Sequence, residues 1–394
     1  MTFSSLSGIR VVEMSHMIMG PSCGMILAQM GAEVIKVEPP EGDRTRELTG
    51  MGVGFYPLFN RGKRSLQLDL KSETGQKALH ALLATADVFI ENFRDASLER
   101  MGIAPEALRA RYPSLITVSH KGFLNGPYKD RTAMDEVVQM MTGLAYMTGP
   151  TGRPLRVGSS ANDIMGGLFG ALGIVAALMD RQKSGAGRQI RVGLFENCLL
   201  LVAQHMLQYE LEGTIAPPMP ERDFSWPVYD IFETRDGTQI FVGAVTAGHW
   251  TALCRILGQE ALLEDPGLQT AMDRINARKR TLPLFAEAIR ALDAGAFSAA
   301  LEAAGLPHSP IARPADMYAD PHVNRPGGLI SSAMPDGRRF RAPGLPLDID
   351  GEPLAAAAEV RAAGADSLAI LREIGCEEAL VATPAPVAAQ GNRP

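Results

Sequence analysis

In the first 120 residues, short β-rich runs alternate with helical patterns, and this alternation sets most of what the chain can fold into. Gly8–Glu13 (GIRVVE), Glu33–Glu38 (EVIKVE), Arg64–Leu70 (RSLQLDL), Asp87–Glu91 (DVFIE) and Leu115–Ser119 (LITVS) read as strands. Between them, Pro21–Gln29 opens a helix on a proline, Glu73–Ala86 puts Ala78, Leu79, Leu82 and Leu83 on one face, and Leu98–Tyr112 has helical spacing. Strands separated by crossover helices form a parallel sheet covered on both faces, an α/β architecture. Ligands of such sheets bind beyond the carboxyl ends of the strands. The loops to inspect therefore follow Glu13, Glu38, Glu91 and Ser119. The first of these reads MSHMIMGPSCGM and lacks GxGxxG, and no GxxxxGK(S/T) occurs anywhere. Both absences argue against a dinucleotide-dependent hydride transfer and against a P-loop.

At roughly 100–200 residues per domain, 394 residues imply two or three domains. The region from Asp135 to His205 is helical, with a break at Gly149–Ser160, and Gly185–Gly193 leads into a short strand. Its uncharged run Ile164–Met179 is shorter than the roughly 18–20 residues of a membrane span and reads as a buried helix. From Pro217 the texture turns proline-rich (PPMPERDFSWP), as in a linker. Tyr229–Thr234, Thr238–Val245 and a helix around Trp250–Leu257 then form a separate unit. Asp316–Asp350 returns toward the first. The expected division is 1–215, 216–315 and 316–394, the last ending in a flexible Ala/Pro-rich tail from about Glu377.

Thirty-eight Lys and Arg against 44 Asp and Glu leave a net charge of −6, which excludes general nucleic-acid binding because phosphate neutralisation needs a basic surface. Cys23, Cys198, Cys254 and Cys376 are far apart with no CxxC pair, so neither a disulfide framework nor a metal site is expected, and the cysteines are those of a cytoplasmic protein. The N-terminus MTFSSLSGIRVVEM lacks a signal-peptide pattern, and no membrane association is expected.

Asp163 stands out among candidate chemical groups. It precedes an uncharged helix and has small neighbours (Ser159, Ser160, Ala161, Gly166, Gly167), so it is either a helix cap or a carboxylate nucleophile that a bulky acyl group can reach. Backbone N–H groups near Gly166 and Gly167 are candidate oxyanion donors. Basic residues sit in the predicted loops: Arg44, Arg46, Arg61, Lys63, Arg64, Lys71, Arg94, Arg100 and Lys121. They are either a solvated surface or a local phosphate-binding mouth. His16 and His120 follow strands as loop anchors or bases. Met17, Ile18 and Met19 form an apolar patch, while Trp226 and Trp250 read as packing residues. Arg156 and Arg222 are either surface charges or candidates for binding a second carboxylate.

Five stretches in order, GIRVVEMSHMIMGPSCGMILAQMGAEVIKVEPPEGDRTR, FNRGKRSLQLDLKSETG, ADVFIENFRDASLERMG, VGSSANDIMGGLFGALGIVAAL and GRQIRVGLFE, resemble the family III CoA-transferases. This is the CaiB/BaiF family, which includes formyl-CoA transferases and α-methylacyl-CoA racemases. The resemblance spans about residues 8–200 and continues more weakly to about 345. It implies a Rossmann-like large domain with a smaller inserted α+β domain, in an interlocked homodimer. It carries the nucleophile onto Asp163. The CoA contacts carry onto Met17, Ile18 and Met19, Leu68 and Lys71, Asn92, Arg94, Ser97 and Arg100, and Thr132, Ala133, Met134 and Asp135. No cofactor is bound permanently; coenzyme A and acyl-CoA are substrates, with a small carboxylic acid as the other partner. The implied chemistry passes through an aspartyl-acyl anhydride and an aspartyl-CoA thioester. For this to start, Asp163 must be ionised, which a positive helix end would favour.

Three positions depart from the family pattern. Met134 occupies the site of the racemases' acid/base histidine and cannot accept a proton, which disfavours the alternative of an α-methylacyl-CoA racemase or epimerase. No GGGG-type run occurs, which disfavours the formyl-CoA:oxalate branch. Pro39 stands where some members have a CoA-binding arginine, leaving Arg44 or Arg46 to substitute. Succinyl-CoA is the favoured donor. A CoA-binding regulator without chemistry is the alternative from another class, and the retained Asp163 speaks against it.

Overall fold

The computed structural model describes residues 4–221, 226–354 and 359–381. Arg222 and the rest of 222–225 in the PPMPERDFSWP segment, and the chain from 382 onward, lie outside the described residues. Two compact units result, one made of 1–220 and 324–394, the other of 221–323.

The first unit begins with β1 (Arg10–Met14), α1 (Met19–Gln29), β2 (Glu33–Glu38), α2 (Phe55–Asn60), β3 (Arg64–Gln67), α3 (Glu73–Leu83) and β4 (Val88–Glu91). It continues through α4 (Asp95–Arg100), α5 (Pro105–Arg111), β5 (Ile116–Lys121), α6 (Asp135–Thr142), α7 (Leu144–Thr148), α8 (Ala161–Ser184), β6 (Gln189–Gly193) and α9 (Leu194–Glu212). The six strands form one parallel sheet in the order β3-β2-β1-β4-β5-β6. Successive strand residues point to opposite faces, and each face has its own core. Val11, Val34, Val88, Ile116 and Val118 pack with α1 and α8. Val12, Ile35, Leu66 and Phe89 pack with α3 and the C-terminal helix residues Ile370 and Leu371.

Where one helix is expected over Leu98–Tyr112, the chain makes two. Gly102, at φ +69°, ends the first, and Pro105 starts the second at a position that needs no amide hydrogen. α8 is longer than the uncharged run inside it, and long and apolar enough by length and composition to cross a bilayer. It is not the buried helix that the sequence suggests. One face, with Gly166, Gly167, Gly170 and Ile174, packs on α1 and the sheet, while Leu168, Leu172 and Met179 are exposed. The glycines make that packing possible: a Cβ at Gly167 would sit 1.9 Å from Ser22 Oγ.

The second unit holds β7 (Val228–Glu233), β8 (Gln239–Ala244), α10 (Ala247–Ile256), α11 (Ala271–Asn276), α12 (Arg278–Arg290), α13 (Ala294–Ala303) and β9 (His308–Pro310). Its strands form an antiparallel sheet, β7-β8-β9, over a core containing Trp250, Phe285 and Phe297. Trp250 is therefore a packing residue, and Trp226 stacks on Tyr229.

The chain then re-enters the first unit with the hairpins β10–β11 (Leu329–Ala333, Arg339–Pro343) and β12–β13 (Asp348–Ile349, Glu352–Pro353), followed by α14 (Ser367–Glu373). This return covers the edge strand: the Ser65 amide donates to Asp366 Oδ2 at 3.0 Å and the Gln67 amide to Ser367 Oγ at 3.0 Å. The start of the expected tail is ordered, because Glu377–Ala379 forms a 3₁₀ turn and Glu378 pairs with Lys77 at 3.0 Å.

Candidate active site

The strand order reverses between β1 and β4, which opens a crevice at their carboxyl ends. Asn92, just after β4, ties the two loops there. Its Oδ1 accepts from the His16 amide at 3.2 Å, and its Nδ2 donates to the His16 carbonyl at 2.9 Å. The next residue, Met17, is held at φ +63°, a left-handed conformation uncommon for a side chain of its size. Two cavities open here, of about 600 Å³ and about 450 Å³. They share His16, Asn92, His120, Lys121, Gly122 and Ala133, so they are two ends of one continuous crevice.

The smaller end holds Asp163, in the first turn of α8, together with Met134, Asp135 and Arg156. Its other walls include Met17, Ile18, Met19 and Phe55. No side chain caps α8, and its first intrahelical bond is Ile164 N–H to the Ser160 carbonyl. The amides of Ala161, Asn162 and Asp163 therefore have no acceptor within the helix. This corrects the expectation for Gly166 and Gly167, whose amides lie inside the helix and whose Cα atoms face α1.

The charge state of Asp163 also differs from expectation. Burial, and then the neighbouring Asp135 carboxylate, push its carboxyl up to about 7, while Arg156 pulls weakly the other way. A positive helix end contributes at most a few tenths to ~2 kcal/mol, and desolvation outweighs it. Asp135 is raised too, chiefly by burial, against the hydrogen bond from Gln139 at 2.7 Å and the charge of Arg156.

The larger end is basic. Arg94, Lys129, Arg131 and Arg191 line it with Lys121, against Asp95 and Asp130. Arg94 donates to Thr132 Oγ1 at 3.2 Å, bringing two expected CoA contacts together. Arg191 and Lys121 converge on Asp95 at 3.0 Å each. Sequence reading missed Lys129, Arg131 and Arg191. The first two stand directly before Thr132 and were legible there as a basic flank; Arg191 lies inside a strand and carried no such signal.

Met17, Ile18, Met19, Asn92, Arg94, Ser97, Thr132, Ala133, Met134, Asp135 and Asp163 line the crevice. Leu68 does not: it is fully buried in the core between β2 and α3. Lys71 is exposed away from both cavities, and Arg100 reaches back to Ser97 Oγ at 3.1 Å. The basic cluster expected around β3 is not at the mouth, because it precedes that strand and so lies at the sheet's opposite end. Arg61 is buried against the Ala342 and Pro343 carbonyls. Lys63 is buried on Glu13 Oε2 at 2.6 Å, beside Lys36, and burial pushes it down to about 8. Arg64 pairs with Glu33 and Glu373. Arg46 is committed to Glu38 by a two-pronged pair at 2.7 and 2.8 Å, whereas exposed Arg44 borders a third cavity of about 360 Å³ with Pro39 and Met17. His120 is buried and neutral, burial pushing it down to about 4. A Cβ at Gly170 would meet its Nε2 at 2.6 Å, so it fills the space between β5 and α8.

The profile of CoA-transferase family III matches residues 6–367. The chain is 33% identical over 339 residues to succinyl-CoA–D-citramalate CoA-transferase of Chloroflexus aurantiacus, covering 84% of each chain. It is 33% identical over 362 residues to succinate–glutarate CoA-transferase of Agrobacterium fabrum, covering 89% of this chain and 90% of that one. A crystal structure of a CaiB/BaiF family protein from Brucella suis superposes with a TM-score of 0.85 at 30% identity, covering 94% of this chain and 99% of the other.

Proposed function

The chain belongs to CoA-transferase family III and is a CoA-transferase, and from that premise we propose that it moves CoA from succinyl-CoA to a second small carboxylic acid, with Asp163 as nucleophile. One observation carries the reading: the half-buried Asp163 carboxyl and the basic mouth are two ends of one crevice at the switch point of the sheet. Arg94, Lys129, Arg131 and Arg191 suit the phosphates of CoA, and the shared residues from Asn92 to Gly122 lead from there to Asp163. CoA and acyl-CoA pass through as substrates, with no permanently bound cofactor.

In the proposed sequence, an Asp163 carboxylate oxygen attacks the succinyl thioester carbon. The C–S bond breaks, and CoA leaves as thiolate with the electron pair. The thiolate attacks Asp163 Cγ in the mixed anhydride and expels succinate, leaving an aspartyl-CoA thioester. The acceptor carboxylate attacks that thioester, forming a second anhydride and freeing the thiolate. Attack of the thiolate on the acceptor's acyl carbon makes the new thioester and restores the Asp163 carboxylate. No proton is consumed, and the free amides of Ala161, Asn162 and Asp163 are suited to the oxyanions. The ionised fraction of Asp163 at neutral pH supplies the attacking form.

The reading includes a homodimer, interlocked as in the family, in which 221–323 is the smaller inserted α+β domain. The apolar faces left exposed on α8 and α9, including Leu168, Leu172, Leu200, Leu207 and Leu211, support a partner there. Four buried, unpaired cysteines suit a reducing compartment, the cytoplasm. The test is an incubation in D₂O of protein, succinyl-CoA and a panel of free acids, read by mass spectrometry. New acyl-CoA species without net thioester loss are expected. Deuterium at the α-carbon of an added branched acyl-CoA, with no new thioester, would instead establish the epimerase chemistry that Met134 disfavours.

A further inference from the structure

We propose that Arg156 is the specificity-determining residue of the acid subsite, binding the distal carboxylate of a dicarboxylic substrate whose other carboxyl group reacts at Asp163. The inference rests on the transferase reading above and deepens it. The end of the crevice around Asp163 already holds Asp135 and Glu136. A dicarboxylate entering beside three acidic side chains needs a cation to offset repulsion. His16 and His120 do not supply one, because burial lowers both below the ordinary histidine value. Lys121 is already used: it bridges Glu91 and Asp95 at 3.0 Å each and donates to the Phe93 carbonyl at 2.5 Å.

Arg156 is different. Its Nε donates to the Val157 carbonyl at 3.1 Å and one terminal nitrogen to the Ser159 carbonyl at 3.1 Å. These bonds fix the side chain on the strap that runs directly into α8 and Asp163. Its contacts to acidic groups are loose, 3.4 Å to Asp135 Oδ2 and 3.8 Å to Glu136 Oε2. The second terminal nitrogen has only that 3.8 Å approach and no hydrogen bond among the described residues. A guanidinium donates charge-assisted hydrogen bonds to a carboxylate, and here the second terminal nitrogen of a residue lining the cavity is left to make one. Met134, Ile18 and Phe55 supply apolar wall for the methylenes between the two carboxyl groups.

The competing explanation is that Arg156 only holds the strap through its two backbone bonds. A competition assay separates the two. Wild type, Arg156→Lys and Arg156→Gln are given succinyl-CoA with glutarate and valerate together, acids of equal length that differ in one terminal carboxylate. The ratio of glutaryl-CoA to valeryl-CoA reports relative kcat/KM even at low turnover. Wild type is expected to favour glutarate. Arg156→Gln should cut the ratio about ten- to hundredfold, the range for a lost charge-assisted hydrogen bond, and Arg156→Lys should keep part of it. A second readout needs no turnover: with CoA saturating, glutarate should raise the melting temperature of wild type more than valerate does, and equally in Arg156→Gln. An unchanged ratio or an unchanged difference in melting shift in Arg156→Gln overturns the proposal, as does a wild type without preference for glutarate. A wild type that makes no new acyl-CoA with any acid of the panel overturns the transferase reading instead.

Discussion

Replacing Asp163 with Asn removes the nucleophile and also a buried charge, and the second effect can be measured without substrate. Folding raises the carboxyl from about 3.8 to about 7. Such a group stabilises the fold, relative to a chain with an ionised carboxylate, only below its unfolded value; that contribution is lost as pH rises through the folded value. In the unfolded chain Asp163 ionises near pH 4, whereas in the fold ionisation is delayed to about 7. Between those limits the native state becomes less stable by about 1.4 kcal/mol per pH unit. Above pH 7 the cost levels off at ~4 kcal/mol as an upper bound; water reaching this half-buried group trims it to ~2–4 kcal/mol. Asn occupies the same space without charge. Asp163→Asn should therefore melt ~4–8 °C above wild type at pH 8, taking about 2 °C per kcal/mol for a unit of this size. At pH 5 the gap should shrink to about a third, in proportion to the pH interval above the unfolded value. Paired melting curves from pH 5 to 8.5 check this, with CoA transfer abolished in the same preparation. A difference that does not grow with pH, or a variant less stable than wild type at pH 8, would refute the claim that burial dominates at this carboxyl.

Three further outcomes are expected. Because the attacking form is the carboxylate, kcat/KM for succinyl-CoA should rise with pH along a limb centred near 7 that belongs to the coupled Asp163–Asp135 pair; a flat profile from pH 6 to 8 would show that Asp163 is already ionised in the free enzyme. Arg94→Ala should raise the KM for acyl-CoA up to about tenfold by removing one phosphate partner, measured by initial rates, and should leave the choice among acceptor acids unchanged. Glu13→Gln leaves the ammonium groups of Lys36 and Lys63 buried without their shared carboxylate, and urea denaturation should register a loss of about 3–5 kcal/mol.

Much of the site was legible because it depends on chain order. Strand and helix periodicity placed all five N-terminal strands, because a sheet covered on both faces buries strands such as RVVEM and EVIKVE along nearly their whole length. A parallel sheet puts the loops that follow its strands at one end, which pointed to the loops after Glu13, Glu91 and Ser119, and the family resemblance placed Met17, Asn92 and Met134 at the site there. Loops that precede strands go to the other end. Arg61, Lys63 and Arg64 look like their neighbours in composition, but their position before or at the start of β3 removes them from the mouth, and Arg61 and Lys63 are buried as well.

What the sequence alone determined is therefore the class of fold and the family, because each is a local pattern of residue types at set spacings; at Asp163 that pattern left a helix cap and a nucleophile open, and the family resemblance carried the nucleophile there. The tertiary structure decided which charges are neutralised, which are free and which are desolvated. Lys121 is consumed by Glu91 and Asp95, 30 and 26 residues before it, whereas Arg156 keeps one terminal nitrogen without a hydrogen bond among the described residues. Asp163 is pushed up to about 7 first by burial and then by Asp135, 28 residues before it, which lines the same cavity. Helix periodicity likewise could not tell that the face of α8 with Gly166, Gly167 and Gly170 is buried and the face with Leu168, Leu172 and Met179 exposed, since uncharged residues run all round the helix. Coulomb and desolvation energies depend on distance and burial in space, and neither is a function of spacing along the chain.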